Sequence, residues 1–475
     1  MTNQMKRIEH DAIGSMAVDT EAYYGIQSLR ALENFPITGL KMHPELIKIA
    51  AQVKKAAAIS NYKIGRLDEK RMKVMVAACE EIAVGKLHDQ FIVDPIQGGA
   101  GTSFHTNVNE VIANRAIELL GEKKGDYTHV HPNDHVNFSQ STNDVFSSCG
   151  KITTYKLLEK CKKQLELLSK ALNEKAGEFD GVIKMGRTQM QDAVPIRLGQ
   201  EFHAYNMAIC RDIRRFERAK EEVRSLNLGG TAIGTGVNTD PAYTATIIKE
   251  LQTVTGLPLE LAEDLIDATQ NLDSYVMVSC IIKSCAVNLS KISNDLRLMS
   301  SGPRTGFNEI NLPARQNGST IMPGKVNPVI PEVMNQTAFH IIGNDVTITM
   351  ASEAGQLELN AFEPVVFFNL FQSLDMLTAS IKTFTNNCIK GITANEEHCR
   401  GLVENSVGII TVLCPYLGYE KASIIAKKAI QTGTSVKALI LDENLLSEAQ
   451  IDAIMDPRSM TKPGIPKIEI PFINE

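Results

Sequence analysis

The chain has no basic excess, no Cys-x-x-Cys pair and no long unbroken apolar run, and each absence removes a class of function. Lys and Arg number 49 against 55 Asp and Glu, a net charge of −6. A nucleic-acid binder needs a basic face to neutralise phosphates, so this balance argues against one. An anionic small molecule would have to be met by locally placed cations. The nine cysteines are odd in number and widely spaced, which suits free thiols in a reducing compartment better than a disulfide framework. The densest apolar stretch, Val365 to Phe371, is interrupted by Asn369 and falls short of membrane-spanning length. Met1 to Gly14 is polar, without the apolar centre of a secretion signal. The expectation is a cytoplasmic protein that engages neither membrane nor nucleic acid. What remains is an ordinary globular composition, 43% hydrophobic and 22% charged, over 475 residues, enough for two to three domains.

Residues 1–43 read as mostly irregular. Amphipathic patterns predict helices at 44–62 and 67–86 and a third containing Asn109 to Leu120, together an N-terminal helical domain over 1–143. From residue 144 the scale changes. Leu158, Cys161, Leu165, Leu168 and Leu172 alternate at three and four residues, a heptad-like seam inside a predicted 144–178 helix. Comparable patterns cover 196–226, 271–300, 328–351 and 358–388, so 144–393 reads as an elongated bundle. Apolar residues beyond one stripe, such as Ile281, Ile282, Ala286 and Val287, predict burial on more than one face and therefore packing between subunits. Short helices at 394–404, 419–431, 435–441 and 447–454 precede a tail spaced by Pro457, Pro463, Pro466 and Pro471, giving a small third domain over 394–475. The fold class is mainly all-α, three domains around a central long-helix bundle.

Four small polar clusters stand before helical patterns: Gly98 to Ser103, Ser139 to Asp144, Gly186 to Gln189, and the loop Gly318 to Pro328. Helix capping accounts for any one of them. Several helix N-termini brought together would instead make a site for a small anion, with partial positive charge and free N–H groups trimmed by hydroxyls and amides. In the last loop, Asn327-Pro328 reads as an N-cap followed by proline at the first helical position. Two other signals are discounted. His129, His131 and His135 are interrupted by Pro132-Asn133-Asp134 and lack the spacing of a helical metal site. Gly229 to Gly236 lacks the Lys-Ser/Thr of a phosphate-binding loop and reads as a tight turn at the end of the bundle.

The loop Gly318-Ser319-Thr320-Ile321-Met322-Pro323-Gly324-Lys325-Val326-Asn327-Pro328 resembles the signature loop of the fumarase/aspartase superfamily. Gly101-Thr102, Ser141-Thr142-Asn143-Asp144, Gly186-Arg187-Thr188-Gln189-x-Gln191-Asp192 and the Gly229 to Gly236 block resemble its other motifs, in order, over nearly the whole chain. Tyr23-Tyr24-Gly25 and the following residues are more similar to the aspartase branch than to fumarases, which usually carry Tyr-Trp-Gly there; this chain has no tryptophan. The tail from Gly418-Tyr419-Glu420 to Asp456-Pro457 is similar to the aspartase C-terminal domain.

The resemblance implies a helical homotetramer whose active sites are each built from three subunits. It also implies a dicarboxylate substrate and elimination of ammonia from L-aspartate through an aci-carboxylate; the alternative is a fumarate hydratase or another fumarate-releasing lyase. Ser319 would be the general base. Thr102, Ser141, Thr142 and Thr320 would hold the β-carboxylate; Thr188, Lys325 and Asn327 the α-carboxylate; and Asn143 would contact the amino group. No cofactor is required and no metal ligand set is evident, with divalent cations expected at most as activators. Gln189 stands where fumarases have His, which suits loss of ammonia, a leaving group that carries its own proton. Two departures are visible. Thr320 replaces the more usual second Ser, and Phe104-His105-Thr106 replaces the commoner Asn-Met pair at 105–106. His105 is three residues beyond Thr102, where it would either pack or enter the site.

Overall fold

The computed structural model describes residues 5–465, so Pro466 and Pro471 of the tail lie outside the described residues. The fold is mainly α-helical, as expected, with four two-stranded sheets among the described residues. Five long helices dominate: Thr142–Glu178, Leu198–Glu221, Asp273–Met299, Val329–Glu353 and Glu363–Asn387. The heptad seam in the first is fully buried at Leu158, Cys161, Leu165, Leu168 and Leu172. The described chain forms two compact units, and each long helix contributes residues to both.

Of the described residues, the first unit holds 5–162, 214–286 and 339–378. Its helices Pro44–Lys63, Glu69–Ala83 and Thr102–Leu119 match the predicted pattern, but the last begins at Thr102, so Gly98 to Gly101 lead into it and Thr102 and Ser103 lie in its first turn. The residues before 43 are more ordered than their composition suggests. Strands Lys6–His10 and Ser15–Asp19 pair antiparallel, and helix Ile26–Asn34 follows. That helix starts without a capping side chain of its own. Buried carboxylates receive its leading N–H groups instead. Glu110 accepts from Gly25 N and Gln27 N at 2.8 Å each and from Ser28 N at 3.2 Å, while Glu9 accepts from Ile26 N at 2.9 Å. Two carboxylates at a helix N-terminus satisfy orphan donors and oppose the positive end of its dipole. Aromatic packing through Phe104, Phe146, Phe367 and Phe371 joins several helices, with Phe146 and Phe367 centroids 4.9 Å apart.

Of the described residues, the second unit holds 163–213, 287–338 and 379–465. It contains the hairpin Ile183–Thr188 and Gln191–Arg197 and the small C-terminal helices, whose core gathers Met185, Leu413, Ile425, Ile440 and Ile451. A helix unmarked by the sequence pattern, Ile410–Leu417, completes that core despite Pro415 within it. All nine cysteines are free.

Asp273–Met299 and Glu363–Gly391 are long and apolar enough to cross a membrane by length and composition, which corrects the expectation that no run reaches that length. Both carry polar residues bonded inside the fold: Ser279 Oγ donates to Asp345 at 2.7 Å, and Ser373 Oγ donates to the Asn369 carbonyl at 2.7 Å. Such pairing is how bundle helices accommodate buried hydroxyls.

Candidate active site

Ser141, Thr142 and Asn143 open the Thr142–Glu178 helix. Ser141 is a cap, as its chemistry predicts: its Oγ accepts from Asn143 N at 3.3 Å, while the Asp144 carboxylate reaches back to Ser141 N at 2.9 Å. This reciprocal pattern resembles a capping box and leaves the Ser141 hydroxyl proton free to donate. Asp144 also accepts from Gly229 N at 3.0 Å and Thr231 N at 3.2 Å, and Asn143 Nδ2 donates to the Ala232 carbonyl at 2.7 Å. The glycine-rich turn therefore packs onto the helix head, consistent with its reading as a tight turn. Burial pushes the Asp144 carboxyl up to about 6, against the pull of those three N–H donors. Because Asn143 spends its amide on Ala232, its carbonyl oxygen is the end left to meet a cationic group.

Thr102 stands exposed in the first turn of its helix. The approach is made by Gly101, whose φ is +88° and whose missing side chain leaves room for the Phe146 ring; a Cβ there would lie 2.3 Å from Phe146 Cδ1. His105, one turn further, is buried and faces the neighbouring cluster. Its Nδ1 is 2.7 Å from Thr142 Oγ1, and its Nε2 is 2.7 Å from Lys54 Nζ. Lys54 also donates to Asn137 Oδ1 at 2.9 Å. Lys54 escaped sequence reasoning altogether. Its only signal is position, because it shares a helical face with buried Ala50, Ala57 and Asn61 in Pro44–Lys63.

In the second unit, the Gly186 to Gln189 cluster is corrected from a helix start to a hairpin tip. Thr188 pairs with Gln191 across a two-residue turn made by Gln189 and Met190, at φ +52° and +65°. Both positive φ values give the primed turn that suits hairpin twist, at a cost for residues other than glycine or asparagine. Thr188 and Gln189 are exposed there. Behind them Glu309, fully buried, accepts from Arg187 at 2.8 Å and pairs with Lys184 at 3.2 Å, which fixes the hairpin's base.

The Gly318 to Asn327 loop is closed on itself. Gly318 N donates to the Lys325 carbonyl at 2.8 Å, and Asn327 Nδ2 donates to the Gly318 carbonyl at 2.7 Å. The expected N-cap role of Asn327 is thus replaced by loop closure, and the helix begins at Val329, one residue after Pro328. Gly318 has no space for a side chain: a Cβ would sit 2.6 Å from Lys325 O. Ser319, half-buried, receives two backbone donors on Oγ, from Met322 N at 3.0 Å and Ile321 N at 3.3 Å. Thr320 and Lys325 are exposed beside it. An oxygen held by two N–H groups is a prepared place for negative charge. Among the described residues, no group of three or more His, Cys, Asp or Glu side chains is placed to hold a metal ion. His131 instead caps the turn Pro132–Val136, accepting from Asn133 N and Asp134 N.

Residues 14–343 match a family of lyases and residues 409–462 match the fumarase C C-terminal family. An aspartate ammonia-lyase from Bacillus subtilis is 56% identical over 97% of this chain and 97% of its own length. The chain belongs to the aspartate ammonia-lyase family. Another member, from a Bacillus species, is 54% identical over 97% of this chain and 98% of its own. The crystal structure of a fumarate lyase/delta crystallin from Brucella melitensis bound to cobalt superposes with a TM-score of 0.94 at 46% identity, covering 97% of this chain and all of that one. Family membership agrees with the five ordered motifs, and it makes the protein a carbon–nitrogen lyase.

Proposed function

We propose that this protein reversibly eliminates ammonia from L-aspartate to give fumarate, with Ser319 as the general base. The observation that carries the reading is the pair of backbone N–H groups on Ser319 Oγ. Serine is a poor base until its alkoxide is stabilised, and two fixed donors supply part of that stabilisation at no reorganisation cost. The alkoxide takes the proton from the carbon beside the β-carboxylate. The electron pair moves into that carboxylate as an aci-carboxylate and then expels ammonia from the neighbouring carbon. Thr102, Ser141, Thr142 and Thr320 are assigned to the β-carboxylate, where charge accumulates. Thr188, Lys325 and Asn327 are assigned to the α-carboxylate. Asn143, with its carbonyl oxygen available, is assigned to the amino group. Gln189 offers no acid to a leaving hydroxide, which favours an amine substrate over malate. The chemistry uses no organic cofactor, and a divalent cation enters at most as an activator.

We also infer a homotetramer with sites shared between subunits. Met277, Phe339, Val346 and Met350 project outward from the long helices at 51% to 66% exposure, apolar surface that further copies of the chain would cover. The free thiols support a cytoplasmic setting.

Purified protein is incubated with L-aspartate, L-malate or argininosuccinate, and fumarate is followed by its ultraviolet absorbance. Fumarate from aspartate alone is expected, and none from aspartate overturns the reading. Ser319→Ala is expected to keep its circular dichroism and lose about 10²–10⁴-fold in kcat. Mixing inactive Ser319→Ala with inactive Thr142→Val, after dissociation and reassembly, restores a fraction of activity if subunits share sites.

A further inference from the structure

We propose that the buried pair Lys54 and His105 sets the direction of the Thr142 hydroxyl and so governs how tightly the substrate's carboxylate is held. The proposal rests on the reading of Thr142 as a carboxylate ligand. It stands on a chain of contacts within the first unit: Asn137 Oδ1, Lys54 Nζ, His105 Nε2, His105 Nδ1 and Thr142 Oγ1, linked at 2.9, 2.7 and 2.7 Å.

Lysine as an ammonium is donor-only, so at 2.7 Å the facing His105 Nε2 must accept. The imidazole is then neutral with its proton on Nδ1, and Nδ1–H donates to Thr142 Oγ1. That bond occupies a lone pair of the threonine oxygen and leaves its own proton free for a substrate oxygen. If Lys54 loses its proton, the amine offers a lone pair. The imidazole proton can then sit on Nε2, Nδ1 becomes an acceptor, and it competes with the substrate for the Thr142 hydroxyl proton. No bond to carbon changes; one proton leaves Lys54 to solvent and one changes sides of the ring.

The surroundings place this change near neutrality. Burial pulls Lys54 down to about 7, against the pull of the nearby Asp144 carboxylate. The neighbouring Cys149 and Cys79 thiols are pushed up to about 12 by burial and stay neutral, so they add no charge beside it. Burial first, and the Lys54 charge second, hold His105 well below its usual value, so the ring does not itself become cationic. Thr142 is only partly buried. Lys54 and His105 touch no substrate in this scheme; they are positioning residues.

The test uses succinate, a dicarboxylate without an amino group, as a competitive inhibitor of the full-length enzyme from about pH 6 to about pH 8.5. In the parent protein its Ki should weaken about tenfold across that range, the loss of one hydrogen bond to a charged group. His105→Asn, whose amide can donate to Thr142 whatever the state of Lys54, should show a flat Ki profile. Lys54→Met should be flat as well, and weaker than the parent at pH 6. Since a buried lysine variant can fail to fold, His105→Asn decides the matter alone. If His105→Asn keeps the parent's pH profile, the relay is wrong. If Thr142→Val leaves succinate affinity unchanged at every pH, it is instead the carboxylate role of Thr142 that fails.

Discussion

Gly101→Ala should damage this protein more than Gly99→Ala, and the difference can be worked from geometry. Both glycines have φ near +85°, 88° at Gly101 and 85° at Gly99. An alanine at either pays for a left-handed backbone, about 1–2 kcal/mol. At Gly99 the new methyl meets nothing closer than Thr102 Cβ at 3.8 Å, ordinary contact, so the backbone cost is the whole effect. At Gly101 it meets three atoms of the Phe146 ring at 2.3 to 2.6 Å. That ring cannot swing away cheaply, because Phe104 lies 5.9 Å and Phe367 4.9 Å from it, centroid to centroid. Overpacking of a fixed core costs about 1–3 kcal/mol more. Gly101→Ala should therefore be destabilised by about 2–5 kcal/mol and Gly99→Ala by about 1–2 kcal/mol. Since Gly101 launches the turn that carries Thr102, Gly101→Ala should also raise KM for aspartate. Urea unfolding followed by circular dichroism, with fumarate release measured on the same samples, reads both effects. Equal destabilisation of the two variants would mean that Phe146 is not the wall described.

Gly318→Ala should cost about 1–3 kcal/mol in unfolding, because its Cβ meets backbone atoms of Lys325 and Asn327, and lower kcat by tenfold or more by forcing Lys325 O away and opening the Ser319 turn; unchanged kcat would refute loop closure by that contact. Glu363 gives a pH-linked prediction. Burial holds its carboxyl up to about 8, above its usual 4.5, against a Ser147 hydrogen bond and the Lys151 charge. A raised folded-state value contributes stability below the unfolded value that is lost as pH rises through the folded one. Glu363→Gln cannot ionise, so it should gain on the parent by roughly 3 kcal/mol between about pH 5 and about pH 8 in urea unfolding; parallel curves would contradict it.

Much of the bundle could be read from residue spacing, because a helix that buries one stripe must repeat it. The 271–300 and 328–351 patterns became Asp273–Met299 and Val329–Glu353. The small sheets had no such imprint. Strand Lys6–His10 buries only Glu9, a carboxylate held by Arg7, so no apolar alternation marks it. The 183–197 hairpin turns through Gln189-Met190, which lacks the Asn-Gly signal of its turn class. At the site, hydroxyl and amide identities were legible as motif residues. What they bond was not, since it depends on long-range approach: Asp144 to Gly229, or His105 to Lys54, separated by 85 and 51 residues. The role of Asn327 also changed, because the helix starts only at Val329, which leaves Asn327 short of the cap position, and its Nδ2 closes the loop on the Gly318 carbonyl.

Glu110 sets a limit on where this chain can be cut. Its carboxylate is buried, with burial raising its affinity for protons, and its acceptors are filled by Gly25, Gln27 and Ser28. Removing the first thirty or so residues would strip those donors and leave a desolvated charge two turns beyond Thr102 on the same helix. An N-terminal tag added before the hairpin respects that wiring, and a truncation past Gly25 does not. A segment remote in sequence thus acts as a ballast for the helix on which Thr102, proposed as a carboxylate ligand, sits, and on that proposal trimming it for convenience would be felt as lost affinity.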